Sequence, residues 1–294
     1  MKFIPTKTIL SSYSEGNSWF GSNYNMNIYR GCDHGCIYCD SRSECYGVEN
    51  FDVVRAKENT LLLLEKELKS KRKKGIVATG AMSDPYNPFE AEYKLTRGAL
   101  ELINKYGFGA SVLTKSDLMV RDIDILSRIK KHSPVMAKFT ITTYDDELCK
   151  KIEPNVSEAS KRFKALGKLS KADIFTGIHM WPILPFINDT EENIKLIIKA
   201  AAENGANFVS PYFGVTLRQN QRLYYYQQLD RVLPGVKQKY INTYGDQYEC
   251  NSIYEKGLWS IFKAECKKYG LLYKMSDIRE TLKSKYENRQ ISLF

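Results

Sequence analysis

A regular alternation of short apolar runs with longer helical patterns constrains the fold of this chain more than any other feature. Six β-α-like units follow one another between residues 25 and 214, at roughly thirty-residue spacing. Such alternation predicts a parallel sheet whose strands are joined by crossover helices. Because right-handed crossovers can curl such strands into an incomplete barrel, we predict an α/β fold with a partial (β/α)6 barrel.

The pattern changes after Gly214. Residues 215–288 contain segments such as SIYEKGLWSIFKAECKKYG and MSDIRETLKSKYEN, which predict a helical C-terminal extension. The last residues, RQISLF, show no helix cap and no continuation of the helical pattern. We therefore expect a barrel over residues 1–214, a helical extension over residues 215–288 and an exposed tail over residues 289–294.

The unusual segments of the barrel region follow the predicted strands. The segment GCDHGCIYC follows the first strand, AMSDPYNPFE the second and WPILPFIND the fifth, whereas Lys115 ends the third and Thr142 and Thr143 end the fourth. In barrels of parallel strands, chemistry gathers at the carboxyl ends of the strands. The sequence therefore predicts a functional site at this rim.

The segment GCDHGCIYC carries Cys32, Cys36 and Cys39 at spacing C-x3-C-x2-C. Thiols this close together suit a metal or a cluster better than a disulfide framework. A zinc site would need a distant fourth ligand such as Cys45 or His34, and zinc sites more often use paired C-x2-C units. An iron–sulfur [4Fe–4S] cluster held by three thiolates would instead keep one iron open to a substrate.

The cysteine spacing after the first strand of an α/β barrel resembles the radical S-adenosylmethionine (SAM) superfamily. Five blocks together resemble its spore photoproduct lyase-like branch, often called DNA repair photolyases: YRGCDHGCIYCDSR, TGAMSDPYNPFE, VLTKSDLMVRDIDIL, ITTYDDELCKKIEP and WPILPFIND. The resemblance implies a radical SAM barrel and a [4Fe–4S] cluster whose open iron binds SAM. It also implies one-electron reduction of SAM, with cleavage of a C–S bond to give a 5′-deoxyadenosyl radical.

The resemblance implies roles for single residues. Its cluster ligands match Cys32, Cys36 and Cys39. Tyr38 matches an aromatic residue near the SAM adenine. Ser83 matches a hydroxyl that approaches the SAM carboxylate, and Lys115 matches a lysine that pairs with that carboxylate.

Four further residues at the same rim are candidates with open alternatives. Thr142 or Thr143 would bond the SAM ribose, although β-branched residues also suit a strand without any ligand. Asp84 begins the segment DPYNP, in which two prolines fix a rigid turn, and it either touches the bound ligands or holds that turn. Tyr86 is the candidate catalytic residue, because a tyrosine can relay a hydrogen atom or stack on a base.

One position departs from the lyase pattern. As we align the loop after the second strand, the lyase has a hydrogen-donating cysteine two residues before the serine, and this chain has Ala81. An alanine cannot donate hydrogen. The chain therefore acts on another substrate, uses another donor such as a tyrosine or a cysteine elsewhere, or performs different radical chemistry. The remaining cysteines are expected to be buried or inert thiols: Cys45, Cys149, Cys250 and Cys266.

Composition bears on the partners. The chain has 44 Lys and Arg against 34 Asp and Glu, a formal net charge of +10. This balance is typical of proteins that bind nucleic acid, and equally of proteins with solvated lysine-rich helices. Together with the resemblance it favours a radical SAM enzyme acting on DNA, with an electron donor such as flavodoxin or ferredoxin. The alternatives are radical SAM modification of RNA, a peptide or a small metabolite, and an iron–sulfur adaptor without turnover.

The two ends of the sequence give separate expectations. The start, MKFIPTKTIL, lacks the apolar stretch of a secretory signal, and no run approaches a membrane span, so we expect a cytoplasmic protein. The end, QISLF, resembles the bacterial sliding-clamp-binding motif. That resemblance implies a polar contact by Gln290 and insertion of Leu293 and Phe294 into an apolar pocket. The alternative is an apolar pair that packs back on the domain.

Overall fold

The main sheet runs through the barrel region predicted from the sequence. The computed structural model describes residues 1–13 and 19–287. The predicted clamp-binding residues Gln290, Leu293 and Phe294 therefore lie outside the described residues. The described strands are β1 (Lys2–Ile4), β2 (Leu10–Ser12), β3 (Tyr24–Met26), β4 (Tyr29–Arg30), β5 (Arg55–Lys57), β6 (Ile76–Thr79), β7 (Gly109–Thr114), β8 (Val135–Thr140), β9 (Phe175–Met180), β10 (Phe208–Pro211), β11 (Gly214–Thr216) and β12 (Glu249–Asn251).

Helices connect and cover these strands. The described α-helices are α1 (Thr60–Ser70), α2 (Glu90–Tyr93), α3 (Leu95–Lys105), α4 (Ile123–Lys130), α5 (Asp146–Ile152), α6 (Ala159–Lys171), α7 (Glu191–Glu203), α8 (Gln219–Val232), α9 (Val236–Tyr244), α10 (Glu255–Tyr269) and α11 (Met275–Glu287). None of the helices in the described ranges is long and apolar enough to cross a bilayer.

The order of the main sheet is β10-β9-β8-β7-β6-β3-β2. Every pair from β3 to β10 in this order is parallel, whereas β2 lies antiparallel to β3 at one edge. Helices α1, α3, α4, α6 and α7 each stand between consecutive parallel strands. The predicted six-stranded parallel sheet with crossover helices is confirmed.

Alternation along the strands separates the two faces of the sheet. On β8, Ala137 and Phe139 belong to the apolar core shared with the crossover helices. The residue between them, Lys138, lines a cavity on the opposite face. The helix-covered face of the sheet is thus apolar, as a buried parallel sheet requires, and the inner face carries polar side chains.

The first predicted strand, residues 25–29, is two strands. Tyr24 and Asn25 pair with β6, but Tyr29 and Arg30 pair with β5 in a second sheet of order β1-β5-β4. The chain therefore leaves the main sheet between β3 and β4, because the backbone of β4 is hydrogen-bonded to β5 in the second sheet. This departure carries the cysteine segment to the edge of the barrel.

The C-terminal segment is helical with one addition. Strands β11 and β12 form an antiparallel pair that the sequence did not indicate. Helix α10 packs against α7, and its Leu258 and Phe262 are part of the main core. The cysteine segment joins a second apolar cluster, in which Ile37 packs with Tyr225 of α8 and Tyr240 of α9. The helices after residue 214 therefore cover the barrel and support its cysteine segment.

Candidate functional site

Close backbone packing fixes the cysteine segment at its start. Gly31 has φ +80°, and a Cβ atom there would lie 2.4 Å from the Val53 carbonyl oxygen. Only glycine fits such a close approach at positive φ. Further along, the Ile37 amide donates to the Ile152 carbonyl at 3.0 Å. The segment is therefore held by two distant parts of the chain before any ligand binds.

The three thiols of this segment are free and close enough to influence one another. Burial raises the pKa of Cys32 to about 12, and burial also holds the pKa of Cys36 well above its ordinary value. The Cys39 thiol acts on both in the same direction. Thiolates gathered in such a place need positive charge nearby, and a metal centre supplies it. The donor set therefore fits an iron–sulfur cluster.

His34 and Cys45, the alternative zinc ligands, are placed differently. The ligand atoms of Cys32, Asp33 and His34 lie within 4.8 Å of one another. The His34 Nδ1 atom also lies 3.6 Å from an Asp84 oxygen. Cys45 is exposed, whereas Cys149, Cys250 and Cys266 are buried. A zinc site completed by Cys45 finds no support in these positions.

Lys115, which directly follows β7, lies beside Cys36 and Cys39. Burial alone would lower the pKa of its ammonium, but the anionic forms of Cys36 and Cys39, together with Glu153, outweigh burial and raise it. Its Nζ atom is 5.7 Å from the centre of the Tyr38 ring. A cation held here is suited to pair with a carboxylate of a bound ligand.

Tyr38 is fixed by a buried ion pair that the sequence prediction missed. Its hydroxyl donates to Glu153 Oε1, and Glu153 Oε2 lies 2.6 Å from Arg162 Nη2. Both ion-pair side chains are 1% exposed. Arg162 also donates to the Thr140 carbonyl at 2.8 Å, which ties the pair to the end of β8.

Asp84 joins three segments of the rim. Its carboxylate accepts from Thr114 Oγ1 at 2.6 Å, from the Lys115 amide at 2.8 Å and from the Tyr86 amide at 2.8 Å. The same carboxylate faces His34 of the cysteine segment. These contacts correspond to the loop-holding alternative for Asp84, and its contact with a ligand stays a prediction.

Ser83 also contacts the cysteine segment. Its hydroxyl donates to the Gly31 carbonyl at 2.5 Å. The structure therefore brings Ser83, Lys115 and the cysteines together at one edge of the barrel. Contact of the serine with the SAM carboxylate stays a prediction.

The two threonines after β8 differ in their hydroxyl groups. Thr143 Oγ1 accepts from the Asp145 amide at 3.1 Å. Thr142 is 1% exposed, and its buried Oγ1 has no hydrogen-bond partner in the part of the chain that the structure describes. A buried polar atom without a partner is rare in proteins. Of the two, Thr142 is therefore the better candidate to contact a ligand.

Tyr86 lies away from the open part of the site. Its ring is 1% exposed, and its hydroxyl donates to Asp122 at 3.0 Å. Asp122 is itself paired with Arg97 and Arg121 at 2.8 Å each. A ring buried in such a network cannot stack on a nucleobase. Base stacking by Tyr86 is therefore corrected to a structural contact, and Tyr86 takes no part in the chemistry proposed below.

The C-terminal helices add contacts that the sequence did not predict. Gln221 of α8 donates to the Tyr38 carbonyl at 3.0 Å, between the second and third cysteines. The guanidinium of Arg42 lies 3.7 Å from the centre of the Tyr224 ring. No short motif identifies such partners, because they come from a different region of the sequence.

A second group of polar residues was missed on the inner face of the sheet. Lys138 and His179 line a cavity of about 350 Å³ together with Ala81 and Asn25. The sequence held a signal for both, because each is a polar residue within an otherwise apolar strand: VMAKFTITT and DIFTGIHMW.

Comparison with known proteins is consistent with this arrangement. A family model of the Radical SAM superfamily matches residues 26–204. An uncharacterized protein of Methanocaldococcus jannaschii is 38% identical over 175 residues, which cover 58% of this chain and 64% of that protein. An uncharacterized protein of Mycobacterium tuberculosis is 28% identical over 228 residues, or 75% of this chain and 67% of that protein. The chain thus spans less than two thirds of the first of these relatives.

Solved structures share the fold. Spore photoproduct lyase complexed with dinucleoside spore photoproduct has a TM-score of 0.64 at 15% identity, with 91% of this chain and 79% of the lyase covered. The radical SAM methyltransferase TsrM from Kitasatospora setae has a TM-score of 0.55 at 11% identity, with 82% of this chain and 51% of TsrM covered. At these identities the likeness is one of fold.

The superfamily implies the two cofactors that the site residues fit. Its members use a [4Fe–4S] cluster and SAM, and one of the similar lyase structures holds bound AdoMet. The family model covers more than half of the chain, and the cysteine segment stands at the rim of a parallel barrel. This chain belongs to the radical SAM superfamily, with a fold like that of spore photoproduct lyase.

Proposed function

We propose that this chain is a radical SAM enzyme that acts on nucleic acid, and that its reaction repairs a DNA lesion. The observation that carries the enzyme proposal is a group of three free thiols at the rim of the barrel, two of which, Cys36 and Cys39, lie beside Lys115. The fold of the lyase solved with a dinucleoside photoproduct supports the choice of DNA, as does the net charge of +10.

In this proposal each rim residue has one task. Cys32, Cys36 and Cys39 hold the cluster, which together with SAM supplies a 5′-deoxyadenosyl radical when both are bound. Lys115 pairs with the SAM carboxylate, and the Thr142 hydroxyl bonds the SAM ribose, since it has no described partner in the protein.

Three further residues position this machinery. Asp84 keeps the three loop segments in register through the hydrogen bonds that its carboxylate accepts. Glu153 holds the Tyr38 hydroxyl, so the ring stays fixed beside Lys115. Packing by the C-terminal helices keeps water away from Ile37 and Tyr38.

Binding of DNA would rest on the positive charge of the protein. Lys and Arg side chains that neutralise phosphates release counterions, so the affinity falls as the salt concentration rises. A target base must also leave the stack or already be unpaired, because an enclosed site cannot reach an atom inside a duplex. We therefore propose single-stranded or locally opened DNA as the form bound.

Ala81 favours a second candidate function. It lines the inner cavity, and the described lining contains no cysteine that could return a hydrogen atom to the substrate. Among the described lining residues, Tyr13 is the tyrosine that could serve as the hydrogen donor instead. If neither Tyr13 nor a cysteine elsewhere acts as the donor, the enzyme performs different radical chemistry or acts on another substrate, such as RNA, a peptide or a small metabolite.

The remaining partners are proposals of the same kind. Reduction of the cluster needs a one-electron donor such as flavodoxin or ferredoxin. A sliding clamp would be bound through Gln290, Leu293 and Phe294. The adaptor hypothesis keeps the cluster and the clamp but has no turnover.

One experiment separates these candidates. The protein is reconstituted anaerobically with iron and sulfide, then incubated with SAM, a reductant and ultraviolet-irradiated DNA. We expect 5′-deoxyadenosine and a loss of photoproducts, both measured by mass spectrometry, with unirradiated DNA as the control. Formation of 5′-deoxyadenosine without change in the DNA would favour another substrate, and no 5′-deoxyadenosine at all would favour the adaptor.

A further inference from the structure

A cavity of about 350 Å³, lined by apolar residues and several polar side chains, lies on the inner face of the main sheet. Its lining includes Asn25 of β3, Leu113 of β7, Lys138 of β8 and His179 of β9. The interior of a small barrel is ordinarily filled by branched apolar side chains. Polar side chains around an open volume instead indicate a ligand site.

Lys138 brings an amine into this cavity, and no carboxylate of the described residues lines the cavity beside it. The residue is 5% exposed. Among the described residues its ammonium donates one hydrogen bond, to Ser111 Oγ at 2.9 Å, and it lies 4.3 Å from the centre of the Phe20 ring. An ammonium has three donors. A buried cation with this little compensation is costly for the protein, so a functional reason is required.

His179 lies on the neighbouring strand β9 and also has few hydrogen-bond partners among the described residues. Its ring is 8% exposed and stacks on Trp181 with 4.6 Å between ring centres. The buried Nδ1 atom has no hydrogen-bond partner in the described part of the chain. Asn25 Oδ1, on another strand of the lining, is also buried without a partner among the described residues. Two residues of the lining thus carry a buried polar atom that has no partner among the described residues.

The electrostatics of the cavity favour an anion. The described lining contains no carboxylate. Burial lowers the pKa of Lys138 to about 7. Burial also holds the pKa of His179 well below its ordinary range, and the Lys138 and Lys115 cations act in the same direction. Positive charge in a low-dielectric cavity attracts a negative ligand, whose arrival would favour the protonated forms of both side chains.

We propose that Lys138 and His179 form an oxyanion subsite, which holds a phosphate or carboxylate group of the substrate inside the barrel. The assignment of this anion to the substrate rests on the proposed function, because Ala81 shares the cavity and Lys115 acts on His179. The volume accommodates one nucleotide-sized group and excludes a duplex. A substrate bound here would reach the cofactor site as a single extruded or free unit.

Calorimetry of the anaerobically reconstituted protein with SAM tests the subsite directly. The probes are thymidine 5′-monophosphate, thymidine without the phosphate, and acetate, each titrated in two buffers of different ionisation enthalpy. We expect the monophosphate to bind more tightly than thymidine, with net uptake of protons from the buffer. Binding of acetate with proton uptake, in place of the monophosphate, would support the same subsite and assign it to carboxylate substrates.

Variants connect the binding to the two residues. Lys138→Met and His179→Phe each weaken binding of the anion by about ten- to hundredfold, as expected for loss of a charge-assisted hydrogen bond. Lys199→Met is the matched control, because it removes an exposed lysine from α7, and binding stays at the wild-type level. Lys138→Met also unfolds at no lower temperature than the wild type, since it removes a buried amine that donates a single hydrogen bond among the described residues.

Two results would overturn the proposal. One is that the wild type binds neither anion, and the other is that both variants bind the anion as tightly as the wild type. His179→Phe keeps the second result measurable if Lys138→Met does not fold. Because the titration needs no turnover, anion binding without formation of 5′-deoxyadenosine would refute the proposed function and leave the subsite standing.

Discussion

The buried ion pair behind Tyr38 gives a quantitative prediction. Glu153 and Arg162 are 2.6 Å apart and each is 1% exposed. Glu153→Gln keeps the size of the side chain and an acceptor for the Tyr38 hydroxyl, but it leaves the guanidinium without a counter-charge. An unpaired buried charge costs about 3–5 kcal/mol of the free energy of unfolding. At about 2 °C per kcal/mol for a chain of this size, the unfolding temperature falls by about 6–10 °C.

Thermal unfolding followed by circular dichroism measures the shift, with an exposed pair as the control. Glu147 lies 2.7 Å from Lys150, but these side chains are 78% and 50% exposed. Glu147→Gln should therefore leave the unfolding temperature nearly unchanged. Equal shifts for Glu153→Gln and Glu147→Gln would refute the argument from burial.

The same pair predicts a dependence on pH. Burial alone would raise the pKa of Glu153, but Arg162 and Lys115 outweigh it and lower the pKa below its ordinary value of 4.5. The stabilisation is therefore present above that value and is lost as the pH falls through the folded-state pKa. The difference in stability between wild type and Glu153→Gln should narrow in acid, and a difference that widens would contradict the sign.

Three further predictions concern ligands. Lys115→Met weakens the binding of SAM by about ten- to hundredfold in equilibrium dialysis and leaves the iron content unchanged. Unchanged affinity for SAM would contradict the assignment of Lys115 to the SAM carboxylate. Thr142→Val weakens the binding of SAM by about tenfold. It does not lower the unfolding temperature of the ligand-free protein, because the Thr142 hydroxyl has no described partner. Wild-type affinity for SAM would refute the contact between Thr142 and SAM. Deletion of residues 290–294 abolishes retention on an immobilised bacterial sliding clamp, and unchanged retention refutes the clamp motif.

The sequence predicted the barrel well because the relevant signals are local. Apolar runs and helix caps lie within single segments, so the order β3, β6, β7, β8, β9, β10 and its parallel pairing follow from periodicity and crossover rules. The β11–β12 pair was missed because its strands have three residues each and lie far apart in the chain. A strand of three residues is too short to show the alternation of apolar and polar residues that predicts a strand.

The candidate site was predictable where a motif names the residue. The motif places the cysteines and Lys115 at one rim, where Lys115 lies beside Cys36 and Cys39, and their roles stay predictions. Tyr86 shows the limit of this approach, because its loop position does not reveal that the ring turns into the Asp122 network. Glu153 and Arg162 were missed for a related reason: their partners depend on tertiary packing, which brings residue 38 to residue 153.

Lys138 and His179 illustrate a signal that was present in the sequence. A lysine between Ala137 and Phe139 in a predicted buried strand must either break the strand or face an interior cavity. The structure shows the second outcome. Charged residues inside apolar strands therefore deserve the same scrutiny as motif residues, since the cost of burying them requires a reason.

The most direct test of the account is the formation of 5′-deoxyadenosine by the anaerobically reconstituted protein with SAM and dithionite. We predict that the wild type forms it, that Cys36→Ala forms none and loses cluster absorbance, and that Cys45→Ala, which changes an exposed thiol, matches the wild type. Formation of 5′-deoxyadenosine by Cys36→Ala at the wild-type rate, or its absence in the wild type with a full cluster, would contradict the account.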